Sequence, residues 1–380
     1  MYLLTFSNAS RHGRRSGASG FTIIEMTVAM GVGLLILGAA FTLLNQLIKM
    51  SETVVKIAEM NQNLRAGTDL IIRDLTNSAG GIPIGGVSLP GGAGCAVAKR
   101  PGPGLAAPPA PLGPQTFSNC AAGSMGALPA VSPGQQLGPT INTKTSDEIT
   151  MISVDQSFAV ANVPTALVPT TIAAHPAACT IATCTGWTLT VPAAPSIAAG
   201  STTAVNVGDI YMFINTNGAA LGYVTAVNSG ANTITFDMGD PPALNQPRAA
   251  AGTLSSLGPG GVYPATKVYK ILMVSYFLDN TQAGNPRLMR QLGDNAALAP
   301  ALAVADGINF LEISYDLSDG ATTDVRDVLS LAPHTPNEVR KVNLSIAANT
   351  QPLSSGPRKI FVNDINTAVT VRDLAYRNAY

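Results

Sequence analysis

Histidine, the residue that most often performs acid–base chemistry near neutral pH, is rare in this chain of 380 residues. The three histidines, His12, His175 and His334, are scattered along the sequence. The sequence also contains no serine-nucleophile elbow, phosphate-binding loop or metalloprotease helix. We therefore predict no catalytic residue and no bound cofactor, and we expect that the protein is not an enzyme.

Acidic residues form three small groups that could act as carboxylate pairs or as cation ligands. Carboxylates that lie close together in a loop are ligands that Ca²⁺ prefers. Acids at turns and strand edges are much more common than either kind of site, and a hairpin turn is the favoured interpretation of the third group. We predict no metal site. The groups are Asp147-Glu148, Asp237 with Asp240, and Asp316, Asp319 and Asp324 with Ser318 and Gly320 between them.

Four cysteines could form disulfides or bind a metal ion, and all four lie in the part of the chain that we expect to be exported, where disulfides persist. The short spacing of Cys179 and Cys184 favours a local bridge, which leaves Cys95 to pair with Cys120. The other two connectivities remain open. Metal binding is the competing interpretation, but Cys-x4-Cys is a weak signal and only His175 lies within a usual ligand spacing.

Glu25 is the only charged residue in a long apolar segment. The segment Phe21–Leu44 has 24 residues, and a helix of that length spans roughly 36 Å at about 1.5 Å per residue, enough to cross a bilayer. A carboxylate inside a membrane segment costs about 2.5–3.5 kcal/mol on insertion scales. A plain membrane anchor does not explain that cost, so we expect Glu25 to have a partner.

A basic leader precedes the apolar segment. It carries Arg11, Arg14 and Arg15 and no acidic residue among its first twenty positions, which predicts that it stays on the cytoplasmic side and that the later chain is exported. The only convincing processing junction lies between Gly20 and Phe21, before the apolar segment, so cleavage would retain that segment. Cleavage would also create a positively charged amine on Phe21, which could pair with Glu25 of a neighbouring subunit.

The run Gly20-Phe21-Thr22-Ile23-Ile24-Glu25 after a basic leader resembles the class III signal of type IV prepilins and of type II secretion pseudopilins. The resemblance implies that a prepilin peptidase cuts after Gly20 and methylates the new terminus at Phe21. It also implies that Glu25 aligns each incoming subunit with the amine of one already in the filament. A signal anchor with a chance glutamate is the alternative.

Beyond the apolar segment, apolar and charged residues alternate at helical spacing, which predicts that the helix continues to about Ser78. Gly80-Gly81 and Pro83 provide the stop. We therefore predict a leader at 1–20 and a pilin helix at 21–79, of which 21–47 is the transmembrane part.

Residues 80–145 are rich in Gly, Pro and Ala and are predicted to be a loop insertion, whereas residues 146–380 are predicted to form a β-rich head. The predicted fold is therefore α+β and pilin-like, with the long helix packed on a mainly antiparallel sheet and room for a second, smaller β unit. The predicted strands are Glu148–Val154, Trp187–Val191, Asp209–Asn215, Gly222–Val227, Asn232–Asp237, Lys267–Leu278, Ile308–Asp316 and Glu338–Ala347.

Later segments look like those of a PilW-type minor pilin, so that the resemblance covers nearly the whole mature chain. It implies a low-abundance subunit that helps to initiate a type IV pilus near its tip. Its implied partners are prepilin peptidase, the inner membrane, and other major and minor pilins through the N-terminal helix. Its implied location is the inner membrane, with the head in the periplasm, and then the pilus at the cell surface. The segments are Leu70–Leu75 followed by Ala79–Gly81, Ser146–Met151, Val207–Met212, Val268–Tyr276, Pro286–Gln291, Gly307–Tyr315 and Val371–Asn378.

Three alternatives remain open. A J-type pseudopilin of a type II secretion system shares the signal, the helix and a large β head. A membrane-anchored β-domain adhesin would keep its leader or be cut elsewhere, and it would not need Glu25. An anchored enzyme would need a polar pocket that the sequence does not indicate.

Charge gives no support for a nucleic-acid partner. Lys and Arg number 22, Asp and Glu number 22, and only 12% of residues are charged, which is a poor match to a general nucleic-acid binder. Capture of DNA by a tip pilin would require folding to bring together the four basic residues Arg340, Lys341, Arg358 and Lys359. These residues have the pattern of ordinary strand-edge charges, and we predict no nucleic-acid partner.

Overall fold

The structure is a computed structural model in which the chain divides into two compact units, Met1–Val55 and Lys56–Tyr380. The part that it describes contains one long helix followed by antiparallel sheets, which confirms an α+β layout. The described residues are 20–83, 85–91, 126–155, 171–172, 186–190, 205–246, 252–259, 263–282, 284–293, 301–328, 331, 334–350 and 360–371.

The helix, α1, spans Ile23–Asn77, which confirms the prediction that it runs to about Ser78. Proline is absent from this stretch, and most of its residues favour helix. The helix ends because Ala79 and Gly81 adopt positive φ angles of 67° and 77°. The chain then joins the sheet, where the Ala79 N–H donates to the Ile152 carbonyl oxygen at 3.0 Å.

The strands follow α1 and occupy both ends of the Gly/Pro-rich segment as well as the predicted head. They are β1 (Val87–Ser88), β2 (Ala127–Leu128), β3 (Val131–Gly134), β4 (Thr140–Ile141), β5 (Lys144–Thr145), β6 (Glu148–Val154), β7 (Thr171–Ile172), β8 (Trp187–Thr190), β9 (Ile210–Asn215), β10 (Gly218–Tyr223), β11 (Ala226–Asn228), β12 (Thr233–Phe236), β13 (Lys267–Asp279), β14 (Arg287–Leu292), β15 (Leu302–Asp306), β16 (Ile308–Leu317), β17 (Val339–Asn349) and β18 (Val362–Thr370).

Three sheets organise most of these strands. The largest has seven strands, in which β10, β9, β13, β14 and β15 lie side by side, β6 pairs with β13, and β3 pairs with β6. A four-stranded sheet has the order β11-β12-β8-β7, and a three-stranded sheet has the order β16-β17-β18. The described pairings are all antiparallel, as predicted.

Most predicted strands are confirmed, and one is wrong. The segment predicted at Glu148–Val154 is β6 residue for residue. The strand predicted at Gly222–Val227 is instead divided between β10 and β11, because Gly218 pairs with Asn215 through a two-residue turn and β10 therefore starts early. The end of the segment predicted as a loop also differs from the prediction. Residues 126–145 contain β2 to β5, and β3 joins the large sheet.

The main core lies between the second half of α1, where the buried residues run from Met60 to Leu75, and the seven-stranded and three-stranded sheets. Leu64, Ile71 and Leu75 of α1 are almost fully buried in it. Gly67 allows the helix to approach the sheet closely, since a Cβ at this position would lie 2.9 Å from Leu288 Cδ2. The head therefore holds the second half of α1 as an integral element of its core.

A smaller core lies between the four-stranded sheet and β9, β10 and β13, which belong to the large sheet. Phe236 is at its centre and makes edge-to-face contacts with Phe213 and Tyr211, with ring centroids 5.3 and 6.4 Å apart. The main buried members of this core are Trp187, Leu189, Tyr211, Phe213, Ile234, Phe236, Leu254 and Leu257.

Candidate functional site

Glu25 is hydrogen-bonded at the start of α1 to Thr22, the residue just before the helix. Its carboxylate accepts from the Thr22 N–H at 3.0 Å and from the Thr22 hydroxyl at 3.1 Å. The Glu25 N–H donates in return to the Thr22 hydroxyl oxygen at 3.3 Å. This reciprocal arrangement is a capping box, which pairs amide groups that the first turn of a helix leaves without partners.

The capping box gives Glu25 a local role that the sequence analysis missed. Thr22-x-x-Glu25 is the sequence signal of such a box, so the role could have been found from the residues. The box uses one oxygen of the carboxylate, Oε2, for both bonds from Thr22. The other oxygen therefore remains geometrically available for a second donor.

The first part of α1 exposes its apolar side chains. Phe21 exposes 89% of its surface and Leu35 exposes 76%. This part of the helix is long and apolar enough to cross a membrane, by length and composition. Gly20 and Phe21 precede the helix and are both exposed, so the peptide bond between them is accessible. An apolar surface of this extent requires lipid or another apolar surface to cover it.

A polar cluster fixes the second part of α1 to the seven-stranded sheet. Asp74 of α1 accepts at Oδ2 from the Tyr276 hydroxyl at 2.7 Å and from Arg290 Nε at 2.8 Å. Arg290 Nε also lies 3.1 Å from the Tyr276 oxygen. The Asp74 side chain is only 9% exposed and that of Arg290 is 20% exposed. We call these three residues the helix clamp.

The electrostatics of the helix clamp favour a charged Arg290 and a neutral Tyr276. Burial raises the pKa of Tyr276, and the neighbouring Asp74 carboxylate raises it further, so Tyr276 stays neutral and donates. Burial alone would lower the pKa of Arg290, but the hydrogen bond and the charge of Asp74 outweigh it and raise that pKa. All three residues lie in segments that resemble those of minor pilins, but their positions in the sequence do not indicate that they meet.

Asp147 is buried and anchors neighbouring elements through hydrogen bonds. Its carboxylate accepts from the N–H groups of Gln136 and Ile313, each at 2.8 Å, and lies 3.4 Å from Arg326 Nη2. Burial raises the pKa of Asp147, and the two N–H bonds and Arg326 oppose that shift. Because Ile313 belongs to β16, this carboxylate connects the three-stranded sheet to the start of β6.

Asp240 is a second buried anchor, in the loop after β12. Its carboxylate accepts from the Leu244 N–H at 2.7 Å and the Asn245 N–H at 2.9 Å. The Asn245 side chain then bonds both backbone groups of Tyr223, at 2.9 and 2.7 Å. Burial raises the pKa of Asp240 to about 6 despite the two N–H bonds. Asp237, its suggested partner, is exposed and accepts from the Gly186 N–H at 2.9 Å.

Asp240 should make the head more stable at mildly acidic pH. The folded pKa is about 6 and the reference value is 3.8, so the folded state binds the proton more tightly. The resulting stability is fully present below about pH 4 and is lost as pH rises through about 6, amounting to on the order of 2–3 kcal/mol. We expect Asp240→Asn to be increasingly less stable than wild type as pH falls from 7 to 4.5, measured by urea unfolding of the full chain in detergent.

The control for this experiment is Asp237→Asn, the same change at the exposed carboxylate of the same loop. The pH dependence of Asp240→Asn is measured relative to that of this control variant. An Asp240→Asn difference that is constant with pH would contradict the assignment of this pH dependence to Asp240.

The third acidic group forms a turn, as the sequence favoured. Asp319 accepts from the Thr322 N–H at 2.9 Å and the Ala321 N–H at 3.1 Å. Asp316 contacts Lys341 Nζ at 2.8 Å and accepts from the Asp324 N–H at 2.9 Å. The carboxylates are therefore engaged with protein donors. Across the described residues, no group of three or more His, Cys, Asp or Glu could hold a metal ion.

The remaining predicted residues divide between described and undescribed parts of the chain. The Nδ1 atom of His334 lies 2.7 Å from Oε2 of Glu338. Glu338 also forms a capping box with Thr335 at the start of a short 3-10 helix. Of the four basic residues, Arg340 and Lys341 lie on β17, whereas Arg358 and Lys359 lie outside the described residues. Cys95, Cys120, Cys179 and Cys184 also lie outside them, so the disulfides stay a prediction.

Comparison of the chain with protein-family models, curated proteins and solved structures finds no match. Two features therefore carry the functional inference. One is the accessible Gly20-Phe21 bond in front of Glu25, and the other is a single helix that is apolar and exposed in its first part and clamped into a β head in its second.

Proposed function

We propose that this chain is a PilW-like minor pilin of a type IV pilus, which takes part in pilus assembly and initiation near the tip. The observation that carries the proposal is the position of Glu25 in the first turn of a long, exposed, apolar helix, directly after an accessible Gly20-Phe21 bond. A membrane anchor needs the apolar helix but needs neither of the other two features.

In this function, prepilin peptidase hydrolyses the bond after Gly20 and methylates the new amine of Phe21. A methylated amine keeps its positive charge. The processed subunit stays in the inner membrane until its helix slides against those of other pilins. The Phe21 amine of one subunit and the Glu25 carboxylate of another then meet away from water, where two opposite charges attract strongly.

The helix clamp supports this function from the other end of α1. Forces on the filament act through the helices, and each head must stay attached to its own helix. Asp74 bonded to Tyr276 and Arg290 resists displacement of the helix along the sheet, because any shift would leave a buried carboxylate without donors.

The mature N-terminus tests the proposal most directly. We expect mass spectrometry of the chain recovered from membranes and from sheared filaments to give a species that starts at Phe21 and carries one added methyl group. Substitution Gly20→Glu should leave the leader attached, since the new carboxylate occupies the position before the cut. A wild-type chain that keeps residues 1–20 would contradict the proposal and favour a membrane-anchored β-domain.

A further inference from the structure

A short run of exposed apolar residues leads into β18. Ile360, Phe361 and Val362 expose 51%, 37% and 64% of their surfaces. We call these three residues the apolar border patch. In the described part of the chain after Val55, the other large apolar side chains with comparable exposure are single residues in the sequence, at positions Val207, Leu292 and Leu302.

The apolar border patch lies beside the part of α1 with which the head begins. Asn363, the residue that follows the patch, donates from its side-chain amide to the Asn61 side-chain oxygen at 2.7 Å. Phe361 is bonded to Thr350 in both directions. Its N–H donates to the Thr350 hydroxyl oxygen at 3.0 Å, and its carbonyl oxygen accepts from the Thr350 N–H at 2.9 Å. These bonds fix the position of the patch on the head.

Along α1, the patch is close to the part of the helix that is apolar enough to cross a membrane. The exposed apolar side chains of α1 continue as far as Val55. Asn61 follows about 9 Å farther along the helix, at about 1.5 Å per residue. The part from Ile23 to Val55 is about 50 Å long, which exceeds the roughly 30 Å hydrocarbon core of a bilayer. A helix longer than the bilayer is thick tilts, and tilt lowers one side of the attached head towards the membrane surface.

The composition around the patch suits the surface of a bilayer rather than its interior. Two basic residues, Arg358 and Lys359, directly precede it in the sequence. Basic residues next to exposed apolar ones are typical of segments that lie at the headgroup level, where the apolar groups reach the acyl chains and the charges meet lipid phosphates. Beside Thr350, a polar pocket of about 180 Å³ is lined in part by Lys56 and Glu59. The apolar surface is therefore small and shallow.

We propose that the apolar border patch rests on the surface of the membrane that α1 crosses, with Ile360, Phe361 and Val362 inserted between the lipid headgroups. The contact holds the head against the bilayer while the subunit is stored there. This inference rests on the membrane anchoring that is part of the proposed function. It needs neither cleavage after Gly20 nor entry into a filament.

The test uses the full chain reconstituted in phosphatidylcholine–phosphatidylglycerol vesicles, with and without lipids that carry bromine in the upper part of the acyl chain. The single tryptophan, Trp187, is buried, so wild type gives the background. We expect brominated lipid to quench the added fluorescence of Phe361→Trp at least about twofold. Leu302→Trp is the matched control and should be quenched little. Leu302 pairs with Arg290 of the helix clamp, which lies about 20 Å farther along α1 than Asn61 does.

A third tryptophan variant, Leu35→Trp, separates failure of the inference from failure of the anchoring. Leu35 lies in the exposed apolar part of α1, so its tryptophan should be quenched strongly. Quenching of Leu35→Trp without quenching of Phe361→Trp, or equal quenching of Phe361→Trp and Leu302→Trp, would overturn the inference and leave the anchoring intact. No quenching of Leu35→Trp would overturn both.

A charged residue in the patch provides a second measurement. In the Phe361→Trp chain, Ile360→Asp should reduce quenching to the level of Leu302→Trp, because a carboxylate is costly to insert among acyl chains. Ile360→Leu is the matched control and should leave quenching unchanged. Unchanged quenching in Ile360→Asp would contradict the inference. So would a blue-shifted Phe361→Trp emission that bromine does not quench, since protein rather than lipid would then cover the patch.

Discussion

Replacement of Glu25 by alanine should reduce incorporation of the chain into filaments by about a hundredfold or more. The proposed partner of this carboxylate is the Phe21 amine of a neighbouring subunit, and both groups would be buried in the assembled helices. Removal of one member of a buried charge pair typically costs about 3–5 kcal/mol, and about 1.4 kcal/mol is a factor of ten. Incorporation is measured as the ratio of the chain in sheared filaments to the chain in membranes.

The capping box requires a more selective variant than alanine. Glu25 also caps its own helix through Thr22, and loss of such a cap costs about 0.5–2 kcal/mol. Glu25→Gln keeps an oxygen that can accept from the Thr22 N–H but removes the charge. If the charge pair with a neighbour drives assembly, we expect Glu25→Gln to be nearly as defective as Glu25→Ala.

Thr22→Ala is the matched control, because it removes the capping partner and leaves the Glu25 carboxylate in place. It should retain most of the incorporation of wild type. The opposite pattern, with Glu25→Gln normal and Thr22→Ala defective, would mean that Glu25 acts only as a helix cap. The proposal for assembly would then be wrong even if processing at Gly20 occurs.

Replacement of Asp74 by alanine should lower the free energy of unfolding of the head by about 3 kcal/mol. The loss arises because Arg290 would remain mostly buried without its carboxylate, and the Tyr276 hydroxyl would lose its acceptor. The measurement is urea unfolding of the full chain in detergent, followed by the near-UV signal of its aromatic residues.

The control is Asp69→Ala, at an exposed acidic residue of the same helix. We expect it to change the free energy of unfolding by less than about 0.5 kcal/mol. Tyr276→Phe should cost about 1.5–3 kcal/mol, the usual value for a hydrogen bond to a charged group. A double variant, Asp74→Ala with Arg290→Met, should recover part of the loss, because it removes both charges together.

Equal effects of Asp74→Ala and Asp69→Ala would show that the helix clamp contributes nothing to the attachment of α1. A large effect of Asp74→Ala that Arg290→Met makes worse would also contradict the ionic part of the argument. In that case the carboxylate would act only through Tyr276.

Local patterns in the sequence are sufficient to predict an element when one periodicity or one short motif determines its structure. The length of α1 follows from an apolar run that changes to helical alternation, and its end follows from Gly80-Gly81. Strand β6 follows from an apolar, β-branched run between turn signals. The capping box at Thr22 and Glu25 belongs to the same class, because both partners lie within one turn.

Elements whose stability depends on distant partners could not be predicted in this way. Strand β14 has the sequence Arg-Leu-Met-Arg-Gln-Leu, without alternation of apolar and polar residues, and β18 is rich in Asn, Asp and Thr, so neither has a strong strand pattern of its own. Each becomes a strand because a neighbour with a strong pattern, β13 or β17, offers its backbone groups.

The sequence by itself determined the long helix with its apolar first part and the antiparallel character of the head, because each is encoded within a short stretch, and the proposed processing signal also rests on the sequence alone. Only the tertiary structure brought Asp74 next to Arg290, 216 residues away along the chain, and placed Asp147 and Asp240 in the interior. Burial of these carboxylates results from packing of whole sheets. A single sequence does not specify which of its 22 acidic residues will be buried in the protein interior.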